Sequence, residues 1–203
     1  DQDFWTKECK TALSNGWLFV GFAHELEKAG DVIPLFIADK PILLVKNNNN
    51  KINAFHNVCR HRCLKLVNEK KNVGKIIRCP YHSWSYDLKG KLKAAPHIGG
   101  TDQHKPQGFN LSDHGLKSIK IHVWHDWIFI NFNGKAKKFE EYAKSLIKKF
   151  DDIDFTKLRY AATLDFGKIN TNWKFLIENF IEPYHVQFVH KSTTNQPLKD
   201  HYT

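Results

Sequence analysis

Residues 57–64 read NVCRHRCL and residues 78–84 read RCPYHSW. Cys59 and His61 form a Cys-x-His pair, and after seventeen residues Cys79 and His82 form a Cys-x-x-His pair. Only four cysteines occur in 203 residues. That is too few for a disulfide scaffold, so the Cys/His grouping points to metal or redox chemistry in a reducing compartment. Two thiolates and two imidazoles could hold one tetrahedral zinc. Zinc fingers, however, usually keep both cysteines in one loop and both histidines in the other, whereas each loop here is mixed. A two-iron cluster with cysteines on one iron and histidines on the other uses mixed loops naturally, because each loop must reach both metals.

Outward from these loops, the sequence predicts a small all-β module between Trp17 and Asn133. Its runs are WLFVGF, PILLV, INAFHNV, KIIRC, IKIHVW and DWIFINF, with turns at Asn47 to Asn50 and at His125-Asp126. Before it, Phe4, Trp5, Cys9, Ala12 and Leu13 fall near helical spacing and stop at Asn15-Gly16, predicting one helix over 3–15. Beyond Gly134, the residues Phe139, Tyr142, Ala143, Leu146, Ile147 and Phe150 draw one apolar stripe along a helix. Residues 159–169 (RYAATLDFGKI) read as a short strand leading into NWKFLIENFIEPYHVQFVH at 172–190. The expected divisions are 1–15, 16–134 and 135–203, in an α+β protein.

Composition narrows the function. At 41% hydrophobic the chain can bury one large or two small cores. It has no run of eighteen apolar residues and no basic start before an apolar stretch, so neither a membrane span nor a signal peptide is visible and a cytoplasmic protein is expected. It starts at Asp1 and contains no methionine, as a piece of a longer protein would. The net charge is +10. Along the sequence the lysines look scattered and the aromatics alternate as in strands, which argues against nucleic acid. A solvated surface and a docking face for an acidic redox partner both fit the charge.

NVCRHRCLKL followed by CPYHSWSYDLKGKL resembles the Rieske [2Fe–2S] signature in the form found in Rieske non-haem iron oxygenases. The resemblance implies that Cys59 and Cys79 hold one iron and His61 and His82 the other. Cys63 and Ser83 stand where that family commonly has glycine, so backbone positions needing positive φ would be strained. Respiratory Rieske proteins resemble CTHLGC with CPCHGS, with an interloop disulfide and a serine donor. Leu64, Tyr81 and Trp84 occupy those positions here, which implies a lower-potential, oxygenase-type cluster. Cys63 reads as a small loop residue, and Cys9 receives no role.

Two histidines five apart, His185 and His190, would face about 140° apart on a regular helix, so a shared metal requires a bulge or break there. The segment 172–190 nevertheless resembles the mononuclear-iron segment of the same family, Asn-Trp-Lys followed by Glu-Asn-x-x-(Asp/Glu)-x-Tyr-His and a second histidine. This implies that His185 and His190 are two ligands of a 2-His-1-carboxylate iron(II) site with room for dioxygen. The third ligand of the family lies far downstream, beyond Thr203. Asp200, the only acid after His190, does not match it. Glu182 matches the acid that bridges the two metal sites, between His82 of one subunit and His185 of the next. Its blander reading is a solvated helix-start glutamate before Pro183.

The resemblance as a whole implies the N-terminal half of a terminal oxygenase alpha subunit. An all-β Rieske domain would be followed by the truncated start of a helix-grip (SRPBCC-like) catalytic domain. Electrons would come from NAD(P)H through a reductase, with or without a ferredoxin. Dioxygen would be co-substrate, and the full-length protein a homotrimer with or without a beta subunit. The reaction would be mono- or dihydroxylation or oxidative demethylation of a small molecule, an arene or a quaternary amine such as choline, a betaine or carnitine. Glu182 with the HSW at 82–84 resembles relatives acting on quaternary amines somewhat more. The rivals are a Rieske ferredoxin, which resembles only the first 130 residues, and a structural zinc module.

Overall fold

The computed structural model describes residues 1–190. By internal contacts the chain forms two units, Asp1–Thr156 and Lys157–Thr203.

In the first unit, α1 (Gln2–Lys10) is capped by the Asp1 carboxylate, which accepts from the Asp3 and Phe4 N–H groups. The chain breaks at Thr11 (φ −112°, ψ −87°), and a single turn, α2 (Ala12–Asn15), follows. The one helix expected over 3–15 is therefore two. The strands are β1 (Leu18–Phe22), β2 (Asp31–Ile37), β3 (Lys40–Lys46), β4 (Ile52–His56), β5 (Lys71–Asn72), β6 (Ile76–Arg78), β7 (Ser85–Asp87), β8 (Leu92–Ala94), β9 (Ser118–Trp124) and β10 (Trp127–Asn131). They form a seven-stranded sheet, β1-β10-β9-β4-β3-β2-β5, and a three-stranded sheet, β6-β7-β8, with every pairing antiparallel.

The continuous apolar run of β3 has a structural reason. Leu43 and Val45 enter one core with Phe55, Ile77, Tyr86 and Leu92, whereas Ile42 and Leu44 enter a second with Ile119, Ile128 and Ile130. Alternate side chains of one strand thus serve opposite cores, and β3 is buried on both faces. The first core carries the small sheet, and so positions the cysteine loops.

Strand β2 was not predicted, because Pro34 interrupts its pattern. Only Asp31 and Val32 of β2 pair with β5, so Pro34 lies where β2 is an edge and its missing N–H removes no ladder bond on that side. The stripe after residue 134 is also two short helices, α3 (Phe139–Tyr142) and α4 (Lys144–Lys149), separated at Ala143. Phe139 and Ala143 are buried against Trp17, with Trp124, Phe129 and Ile147 around them. This packing holds the segment to the β module, and by internal contacts the compact unit runs to Thr156.

In the second unit, α5 (Trp173–Ile181) starts at Asn172, whose side chain accepts from the Lys174 N–H. It ends at Glu182, in extended conformation before Pro183, and a single turn, α6 (Val186–Val189), follows. No side chain of α5 is buried. The strand expected at 159–169 is absent: those residues are irregular and exposed. Asp200 lies outside the described residues. No helix among the described residues is long and apolar enough to cross a membrane.

Candidate metal centres

Two loops of similar construction carry the Cys/His pairs. In the first, between β4 and β5, the Cys59 N–H donates to Leu64 O (2.8 Å) and the Cys63 N–H to Cys59 O (3.0 Å). In the second, between β6 and β7, the Cys79 N–H donates to Trp84 O (2.8 Å) and the Ser83 N–H to Cys79 O (3.1 Å). Each closure uses a left-handed residue, and these are Cys63 (φ 54°) and Ser83 (φ 58°), the two positions at which the resemblance places glycine.

The base of the first loop is fastened by Asn57, which is fully buried. Its carbonyl oxygen accepts from Leu66 N (3.2 Å) and Val67 N (3.1 Å), while its amide donates to Val67 O (2.7 Å). Tyr86 on β7 reaches across to the same loop. Its hydroxyl lies 3.3 Å from Cys59 Sγ and accepts from the Arg60 N–H at 3.0 Å. Neither residue carries a motif. For Tyr86 a signal existed: Trp84, Tyr86 and Leu88 alternate, and all three are buried.

The loops bring all four donors together. Cys59 and Cys79 are each 2% exposed. The His61 and His82 ring centroids are 4.7 Å apart, His61 stacks on Trp84 at 4.9 Å and 7°, and Tyr81 leans over His82 at 3.8 Å. Burial, then His82 and Arg62, lower the His61 pKa and favour neutral imidazole; burial raises that of the Cys79 thiol. The Nδ1 atoms of both histidines are buried without any hydrogen-bond partner. Leaving such atoms unpaired costs about 1–3 kcal/mol each, so they fit metal coordination, as do two buried thiols that a cation can deprotonate.

The second group belongs to the other unit. Glu182 Oε2 is 3.0 Å from His185 Nδ1, and Oε1 accepts from the His185 N–H at 3.2 Å. The bond to His185 is the largest influence on this exposed carboxyl and lowers its pKa. An ionised Glu182 accepts the Nδ1–H and leaves His185 Nε2 as the lone-pair donor. His185 and His190 bracket the single turn α6, His190 leaves helical geometry (φ −105°, ψ 33°), and the two rings come to 5.4 Å. The required break is present. Glu182 ends α5 as its C-terminal cap and, before Pro183, accepts the His185 N–H at the approach to α6, the place that the helix-start reading gives it.

A third donor group, His97, Asp102 and His104, lies on an exposed loop. The Nδ1 atoms of His97 and His104 accept backbone N–H bonds from Asp102 (3.0 Å) and His97 (3.1 Å), so these rings fasten their own loop.

Residues 16–105 match the Rieske [2Fe-2S] domain family, and residues 139–203 the ring hydroxylating alpha subunit (catalytic domain) family. The glycine betaine monooxygenase oxygenase subunit of Chromohalobacter salexigens is 31% identical over 95% of this chain and 42% of its own length. The large oxygenase component of salicylate 5-hydroxylase from a Ralstonia species is 30% identical, covering 93% and 47%. A naphthalene 1,2-dioxygenase variant bound to phenanthrene superposes with a TM-score of 0.81 at 27% identity, over 95% of this chain and 43% of the other. The chain thus spans about half the length of the curated relatives it matches.

Proposed function

The chain belongs to the alpha subunits of the Rieske non-haem iron oxygenases, and from that premise we propose that it forms part of a terminal oxygenase component. The observation that carries this reading is the pair of buried, unpartnered histidine Nδ1 atoms gathered with two buried thiols.

Cys59 and Cys79 would hold one iron of a [2Fe–2S] cluster, His61 and His82 the other, and His185 and His190 a mononuclear iron(II). When bound, the cluster supplies single electrons at low potential and the iron(II) supplies dioxygen activation. The chain's own residues hold and orient. Tyr86 stands by Cys59 Sγ, where a hydrogen bond to ligand sulfur tunes potential. Glu182 fixes the ring orientation and tautomer of His185. Its bridging role, receiving His82 of a neighbouring subunit in a ring-shaped trimer, belongs to the same proposal. So do a reductase fed by NAD(P)H, with or without a ferredoxin, and a beta subunit.

Glycine betaine in one relative's name and salicylate in another's favour a small organic substrate, either a quaternary amine or an arene. A Rieske ferredoxin lacks any counterpart of 172–190, where His185 and His190 converge. The test is electron paramagnetic resonance of the dithionite-reduced protein, purified without oxygen, with iron analysis of a full-length form. A rhombic Rieske signal with about three irons per chain is expected. Two irons, with no mononuclear iron(II), would sink the oxygenase assignment; a colourless zinc protein after iron and sulfide reconstitution would sink the cluster as well.

A further inference from the structure

The basic residues are spread along the chain, but acids are sparse where the cysteine loops are built, so the net positive charge gathers there. Residues 57–117 carry twelve lysines and arginines against four acids, a net +8 of the total +10. Within this region the β7–β8 hairpin presents Lys89, Lys91 and Lys93 at alternate positions, all exposed, with Gly90 and Leu92 buried between them. Among the described residues, no carboxylate forms an ion pair with any of these three ammonium groups.

The hairpin is a firm platform. Gly90 has φ +79°, and a Cβ there would stand 2.5 Å from the Phe55 ring, so the tip is pressed onto the core. The Asp87 carboxylate accepts the Lys89 and Lys91 backbone N–H groups, both at 2.9 Å. The three lysines, with Ser112, Gly115 and Leu116, line a groove of about 400 Å³. Its lining offers no aromatic ring on which a base could stack, which favours an acidic protein over a nucleic acid.

The same hairpin leads to the cysteine side of the site. Leu92 pairs with Tyr86, and the Tyr86 hydroxyl is 3.3 Å from Cys59 Sγ. One strand spacing of about 5 Å, the length of the Tyr86 side chain and one hydrogen-bond distance lie between the groove wall and a cluster donor. His61, His82 and Trp84 line a different depression, which shares no lining residue with the lysine groove.

We propose that the Lys89–Lys91–Lys93 groove docks an acidic electron-carrying protein and that electrons reach the cluster from its cysteine side, past Tyr86 and Cys59. In each encounter the reduced partner loses one electron and the cluster gains one, with no bond made or broken. The inference rests on the oxygenase reading above, and it separates the electron's arrival, on the cysteine side, from its departure, on the histidine side.

The test is stopped-flow reduction of the cluster-loaded protein by a reduced acidic [2Fe–2S] ferredoxin across a salt series. The triple variant Lys89→Glu/Lys91→Glu/Lys93→Glu is compared with Lys7→Glu/Lys10→Glu/Lys28→Glu, which changes net charge equally. The hairpin variant is expected to lose about tenfold or more in second-order rate at low salt and to flatten the salt dependence, with the control within about twofold of wild type. Its Rieske spectrum should not change, and its midpoint potential is measured so that rates are compared at equal driving force. The corresponding Lys→Gln triple, expected to lose about threefold, serves if charge reversal disturbs the hairpin.

Equal slowing in both variants, or none, overturns the inference. So does unchanged ferredoxin reduction combined with lost retention on single-stranded DNA, which would make the occupant a nucleic acid. A chain that loads no cluster overturns the oxygenase reading together with this inference; a loaded cluster indifferent to the hairpin overturns the inference alone.

Discussion

Cys59 and Cys79 are 2% exposed, on loops closed by backbone hydrogen bonds and backed by a core of Leu43, Val45, Phe55 and Ile77. Glu182 and His185 stand on a broken helix with side chains 47% and 23% exposed, and Phe180 beside them is 87% exposed. The first group is held by tertiary packing and the second by local sequence: a helix end, a proline and one acid–histidine pair. Loss of a residue in the first should therefore propagate through the fold, while loss in the second should stay local.

The largest expected effects test that contrast directly. Cys59→Ala or His82→Ala should abolish the visible and paramagnetic signature of the cluster, whereas His185→Ala in the full-length protein should abolish turnover and leave the cluster spectrum intact. A cluster lost with His185 would mean that the two groups do not fold independently. Glu182→Gln should keep both metals and slow turnover about tenfold or more, as loss of a partner orienting a ligand does. Wild-type turnover would remove Glu182 from the bridging role.

Stability measurements sharpen the comparison further. Asn57→Ala removes three hydrogen bonds at a buried position and should cost about 2–3 kcal/mol in denaturant unfolding. Phe180→Ala on exposed α5 should stay within about 0.5 kcal/mol. Ser83→Gly relieves a left-handed residue and should raise stability by about 1 kcal/mol; no gain would mean that the second loop is not strained.

The smallest effect is pH-dependent. Burial, then Lys40, lower the His56 pKa below 6.5 in the folded chain. The unfolded chain therefore takes up the proton first, so this contribution is complete above about pH 6.5 and is lost as pH falls through that value. The His56→Gln variant should show a flatter fall in unfolding midpoint between about pH 7 and pH 5.5.

The four donors of the first site were legible because chemistry fixes both their types and their spacing. The left-handed positions at Cys63 and Ser83 were legible only through the resemblance, which places glycine at both. Asn57 and Tyr86 were not, because a buried amide and a buried phenol earn their roles only from what folds around them. Proline hid β2, although an edge tolerates it. The stripe of 139–150 was overread as one helix because only Phe139 and Ala143 are buried; Tyr142 and Leu146 are exposed. Helical periodicity records which residues could share a face, and tertiary packing decides how many of them do.

The pairing of β1 with β10, Leu18 opposite Ile130, also orders events during synthesis. A ribosome adding roughly 5–20 residues per second leaves the first strand waiting for its partner for on the order of ten seconds. Both cysteine loops emerge within that interval, before the strand that closes the sheet exists. Nascent Cys59 and Cys79 thus pass through a period as ordinary accessible thiols, and a reducing milieu protects them at birth before the fold can.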